Sequence, residues 1–99
     1  MPKPTAPRES AVEARLVRGV RTAGGQAFKL APTTAGIPDR LVVLPGGRVH
    51  FVELKADRGR TSPIQRIRLA ELSDLGAATF VLYGYEDVDE YLAQHAPPR

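Results

Sequence analysis

Apolar residues recur at helical spacing from Glu9 to Ala23: at ~100° per residue, Val12, Leu16, Val17, Val20 and Ala23 fall in one arc and Arg15, Arg18 and Arg21 in the opposite one. Gly24-Gly25 closes this first helix. The spacing then shortens, and Gln26 to Leu30, Arg40 to Leu44 and Val49 to Lys55 read as strands. Leu44-Pro45-Gly46-Gly47-Arg48 is a tight reversal, because a Gly pair supplies the positive φ of short hairpin turns, so the second and third strands fold back on each other. Ala31 to Ile37 and Ala56 to Thr61 read as loops. A second helix opens at Ser62, where Ser at the N-cap, Pro63 at N1 and Gln65 at N3 make a capping box, and it runs to Leu75 before Gly76. Thr79 to Tyr83 forms a fourth strand and Asp87 to Gln94 a closing helix with Val88, Tyr91 and Leu92 inward. The order α-β-β-β-α-β-α predicts an α/β (α+β) fold with one four-stranded sheet flanked by helices.

One strand breaks the expected alternation. Glu53 and Lys55 share a face of the third strand, with Val52 and Leu54 on the other, so two charges stand together where a half-buried strand is ordinarily apolar. The hairpin turn brings Asp39, at the mouth of the preceding strand, beside them. A hard cation such as Mg²⁺ takes oxygen ligands and keeps several waters, so the carboxylates of Asp39 and Glu53 together with a substrate phosphate suffice to hold it. An ammonium beside such an ion orients the attacking water or steadies developing negative charge, which is the part expected of Lys55. An isolated Glu-x-Lys is more often an exposed ion pair at a strand end; the Pro38-Asp39 at the matching end of the hairpin favours the metal site and a phosphodiesterase.

Composition narrows the class. The 99 residues suit one domain, expected to span 9–94 between a flexible arm at 1–8 and a tail at 95–99. Fourteen Lys+Arg against 11 Asp+Glu give a formal net charge of +3, compatible with phosphate binding. The absence of cysteine excludes disulfides and thiolate metal sites. No apolar run approaches the ~18 residues of a membrane span, and no signal-peptide pattern opens the chain, so a cytoplasmic protein without membrane contact is expected. His50, on the face opposite Glu53, reads as packing, and neither it nor His95 has a spacing suited to zinc.

Three segments, Gly36-Ile37-Pro38-Asp39-Arg40, Gly46-Gly47-Arg48-Val49-His50-Phe51-Val52-Glu53-Leu54-Lys55 and Gly59-Arg60-Thr61-Ser62-Pro63-Ile64-Gln65, together resemble the signature of a stand-alone VRR-NUC domain of the PD-(D/E)XK nuclease superfamily. The resemblance runs from about Glu9 to Leu92. It implies a restriction-endonuclease-like core with a mixed sheet and a DNA endonuclease dependent on Mg²⁺ or Mn²⁺. Stand-alone members resemble Holliday-junction resolvases in size and dimeric habit, so a homodimer acting on branched DNA such as four-way junctions is expected. The resemblance places Asp39, Glu53, Lys55 and Gln65 in the catalytic site, with Gln65 beside Lys55. A carboxylate from the first helix commonly completes the acidic cluster in this superfamily.

Two glutamates of that helix qualify. Glu9 and Glu13 both project into the apolar arc, although the arginine-lined arc is available, and a carboxylate turned toward the core is costly unless paired or metal-bound. Glu9 lies in the first turn, where an acidic side chain is favoured by the helix dipole alone. Glu13, deeper in the helix, is therefore the expected ligand, with Glu9 as the alternative. Lys29, Arg40, Arg58 and Arg60 are the candidate DNA contacts, Arg40 pointing to the strand face opposite Asp39. The competing function is a non-catalytic DNA-binding or scaffold subunit that retains the nuclease fold. A sequence-specific restriction-like enzyme is disfavoured because so short a chain has no recognition insertion.

Overall fold

A computed structural model describes residues 5–99 and, among them, shows three helices and four strands in the expected order. The helices are α1 (Glu9–Thr22), α2 (Pro63–Asp74) and α3 (Gly84–His95); the strands are β1 (Gln26–Lys29), β2 (Arg40–Leu44), β3 (Arg48–Lys55) and β4 (Ala78–Tyr83). Of the arm expected over residues 1–8, residues 1–4 lie outside the described residues. The strands lie in the order β1-β2-β3-β4, the first three antiparallel and β4 parallel to β3, so the sheet is mixed. No helix of the described residues is long and apolar enough to cross a membrane.

Alternation along the strands divides the sheet into two unlike faces. One carries Val42, Leu44, Val52, Leu54 and Leu82, which close against Val12, Leu16 and Val20 of α1 and Val88 and Tyr91 of α3 in a single buried core. Arg15 joins the two helices on the outside, pairing with Asp89 at 2.8 Å and lying over the Tyr85 ring. His50 sits in this layer as packing, its Nδ1 2.7 Å from the Tyr91 hydroxyl and its ring against Phe80 and His95. Register places Phe28, Leu41, Val43, Val49, Phe51, Glu53 and Lys55 on the opposite face. The crossover helix α2 covers part of it: Gln65 touches Glu53, yet α2 buries no residue, and Phe28, Ile64 and Ile67 stay 52%, 40% and 54% exposed.

Most boundaries move by one residue from the sequence expectation, within the usual fraying of element ends. The closing helix differs more, beginning at Gly84 rather than Asp87. Gly84 adopts φ +68°, which turns the chain straight from β4 into α3, and a Cβ there would collide with the Asp57 carboxylate. Asp87 thereby falls inside the helix and accepts the Tyr83 amide N–H at 2.9 Å, satisfying a donor that the helix start leaves free.

Candidate active site

Asp39 and Glu53 meet because of strand register. Arg40 pairs with Val52, so one more step along the ladder sets Asp39 opposite Glu53, an arrangement that two like charges ordinarily avoid. The ladder opens at that step, since the next residue, Pro38, has no N–H. Asp39 fills the gap itself: its Oδ2 accepts the Leu54 amide at 2.9 Å, which holds the carboxylate at the strand mouth. The loop before it is pressed against α2. A Cβ on Gly36 would stand 2.5 Å from the Ile64 carbonyl oxygen, so only glycine allows this approach. Arg68 of α2 donates to the Ala35 carbonyl and secures the same contact.

Glu53 is 2% exposed, a depth at which a carboxylate requires partners. Gln65 Nε2 donates to its Oε2 at 2.9 Å, and Lys55 Nζ lies 3.0 Å from the same oxygen. The capping box is present as expected: the Ser62 amide donates to Gln65 Oε1, and the Gln65 amide donates to Ser62 Oγ. Gln65 therefore uses its oxygen to start α2 and its nitrogen to hold Glu53. Lys55, although mostly buried, also reaches Glu9 Oε1 at 3.5 Å.

Of the two glutamates expected from the first helix, the structure brings Glu9, the alternative, to the other carboxylates. Oxygens of Glu9, Asp39 and Glu53 lie within 4.8 Å of one another, and Glu13 is not among them. Glu13 is instead taken by Arg40, whose Nε stands 2.7 Å from Glu13 Oε2 while its Nη1 donates to the Ala27 carbonyl at 3.0 Å. The same contacts occupy the Arg40 guanidinium, whose side chain is 17% exposed. Lys29 faces the same way, 3.8 Å from Glu13 but largely exposed. Arg58 and Arg60 are exposed on the loop between β3 and α2. The Glu13–Arg40 pair had a signal in the sequence: an acidic residue on the inward arc of α1 and a basic one on the strand face toward that helix.

Burial pushes the Glu53 carboxyl above its ordinary value, with the Lys55 hydrogen bond opposing it and the charges of Asp39 and Glu9 adding to it. Burial pulls Lys55 down, but hydrogen bonding and charge from Glu53 and Glu9 outweigh that, leaving the ammonium more firmly protonated than a free lysine. Three converging carboxylates against one ammonium leave an excess of negative charge. An all-oxygen donor set with that excess fits a hard divalent cation.

No protein-family model matches the chain. It is 45% identical over 76 residues to Putative nuclease p44 of Acyrthosiphon pisum secondary endosymbiont phage 1, across 76% of this chain and 82% of that protein. It is also similar to a solved structure described as a VRR_NUC domain, with a TM-score of 0.79 at 29% identity over 90% of this chain and 97% of the other.

Proposed function

The chain belongs to the VRR-NUC family of nucleases, and on that premise we propose that it is a divalent-metal-dependent DNA endonuclease whose ion is held by Glu9, Asp39 and Glu53. The observation that carries this reading is the meeting of those three carboxylates, within 4.8 Å, beside a buried lysine. Held by these carboxylates, Mg²⁺ or Mn²⁺ would lower the pKa of a bound water and offset charge on the phosphate. Lys55 contributes a fixed positive charge between Glu53 and Glu9, placed to orient the attacking water or to stabilise the charge that grows on the phosphate. Gln65 keeps the Glu53 carboxylate turned into the cluster. Arg58 and Arg60 provide the adjoining contacts to the DNA backbone.

The substrate we propose is branched DNA, cut by a homodimer whose two-fold axis matches a four-way junction. Phe28, Val49, Ile64 and Ile67 stay exposed and are available to self-association. The test is cleavage of single-stranded, duplex, flap and four-way-junction DNA with Mg²⁺, with Mn²⁺ and with neither. Strict metal dependence with the junction cut fastest is the expected result. Binding without cleavage in any metal would identify a scaffold subunit, and equal cutting of linear duplex would remove the selectivity for branches.

A further inference from the structure

The ion pair between α1 and β2 ties together the carriers of two of the three site carboxylates. Arg40 directly follows Asp39 in the chain, and Glu13 lies one helical turn, ~6 Å of rise, after Glu9. Through Glu13 and the Ala27 carbonyl, the Arg40 guanidinium joins α1, β1 and the start of β2. Both side chains of the pair are 17% exposed, so solvent screens the contact far less than at a surface pair.

Among the described residues, the first turn of α1 has few other polar anchors. Its N-cap, Arg8, makes no side-chain capping bond, and Glu9 itself is half exposed with Lys55 3.5 Å away. Val12, Leu16 and Val20 seat the helix on the core, and Arg15 ties its outer side to Asp89 of α3, which leaves Glu13–Arg40 as the polar tie from α1 to the strand that follows Asp39. The Arg40 guanidinium, with one N–H on Glu13 and another on the Ala27 carbonyl, adds a tie from this helix to β1 and β2 beside Asp39.

We propose that Glu13 and Arg40 are a positioning pair, neither metal ligand nor DNA contact, that sets Glu9 and Asp39 at the spacing a shared ion requires. This rests on the reading of Glu9, Asp39 and Glu53 as the ion's ligands. The pair touches none of the three carboxylates; it acts through the backbone, Arg40 adjoining Asp39 in the chain and Glu13 lying one turn after Glu9.

The experiment is Mn²⁺ calorimetry on the DNA-free full-length chain, with melting temperature and DNA affinity measured on the same proteins. The set is Glu13→Gln, Arg40→Gln, Arg40→Lys, the exchanged pair Glu13→Arg with Arg40→Glu, and Glu9→Gln and Asp39→Asn as ligand controls. Glu13→Gln and Arg40→Gln are expected to weaken Mn²⁺ binding, by less than the ligand controls do, with DNA affinity unchanged. The exchanged pair should recover most of the loss. Arg40→Lys, which keeps the charge without the fork, should fall between parent and Arg40→Gln, and it gives the decisive value if Arg40→Gln does not fold. Lower melting with unchanged Mn²⁺ affinity would overturn the positioning role, provided the ligand controls lose Mn²⁺. Loss of DNA affinity alone in the Arg40 variants would return Arg40 to the backbone contacts. Ligand controls that bind Mn²⁺ like the parent would reject the metal site itself.

Discussion

β3 buries one titratable side chain on each face, and the two are stabilised in opposite ways. On the core face, His50 meets a neutral hydroxyl from Tyr91 and a ring of aromatic neighbours, and burial, followed by the charges of His95 and Arg48, holds it below its ordinary pKa. On the other face, three positions along, Glu53 meets one ammonium and one amide but also two further carboxylates. The first arrangement is complete within the protein. The second retains a surplus of negative charge that a cation would resolve, so the contrast sets a buried polar group satisfied within the protein against one whose neighbours leave room for a ligand.

The sharpest way to break this contrast is to neutralise the acidic side. Glu53→Gln and Asp39→Asn should each abolish metal-dependent cleavage while leaving melting unchanged or raised, since each removes one of several crowded like charges without changing side-chain volume. Cleavage close to that of the parent in either variant would reject the cluster. Next in size is Lys55→Ala, expected to slow cleavage of bound DNA by ~10²–10³-fold, the usual loss when one fixed charge-stabilising group is removed. Single-turnover kinetics at saturating DNA would show this, and a defect confined to DNA affinity would place Lys55 among the backbone contacts.

The core side should answer in stability instead. Tyr91→Phe leaves the buried His50 nitrogen without its partner and should cost ~1–3 kcal/mol in denaturant unfolding, with cleavage retained. A large loss of activity there would mean that the two faces of β3 are coupled.

The smallest expected effect is in the pH dependence of unfolding without metal, where the two groups have opposite signs. Glu53 is raised in the folded state, so its contribution is fully present below the unfolded value of 4.5 and is lost as pH rises through its higher folded value. His50 is lowered, so its contribution is present above 6.5 and is lost as pH falls through its lower folded value. Glu53→Gln should flatten the first slope and leave the second. Saturating Mn²⁺ should cancel the first slope as well.

Legibility in the sequence followed the range of the interaction. The capping box at Ser62 and Gln65 is local, with its partners three residues apart, and it forms as read. The meeting of Asp39 and Glu53 needs only a hairpin whose turn is marked by glycine. The choice between Glu9 and Glu13 was not legible, because residues four apart lie only ~40° apart around a helix and share one arc. What separates them is the axial setting of α1 on the sheet, where contacts from other elements, Arg40 to Glu13 among them, decide which glutamate reaches the cluster. The early start of α3 escaped for a related reason: Gly84 falls between the strand read to Tyr83 and the helix read from Asp87, and only the proximity of Asp57 shows how tightly the chain must turn there.

The double duty of Gln65 bears on how far this sequence can drift. A capping box ordinarily accepts Glu as readily as Gln at its third helical position, since both reach back to the N-cap amide. Here the outer nitrogen of that side chain donates to Glu53. A glutamate would start α2 equally well and yet bring a fourth carboxylate against a site already crowded with three, so an exchange that is neutral at most helix starts becomes closed to this lineage unless the site changes with it.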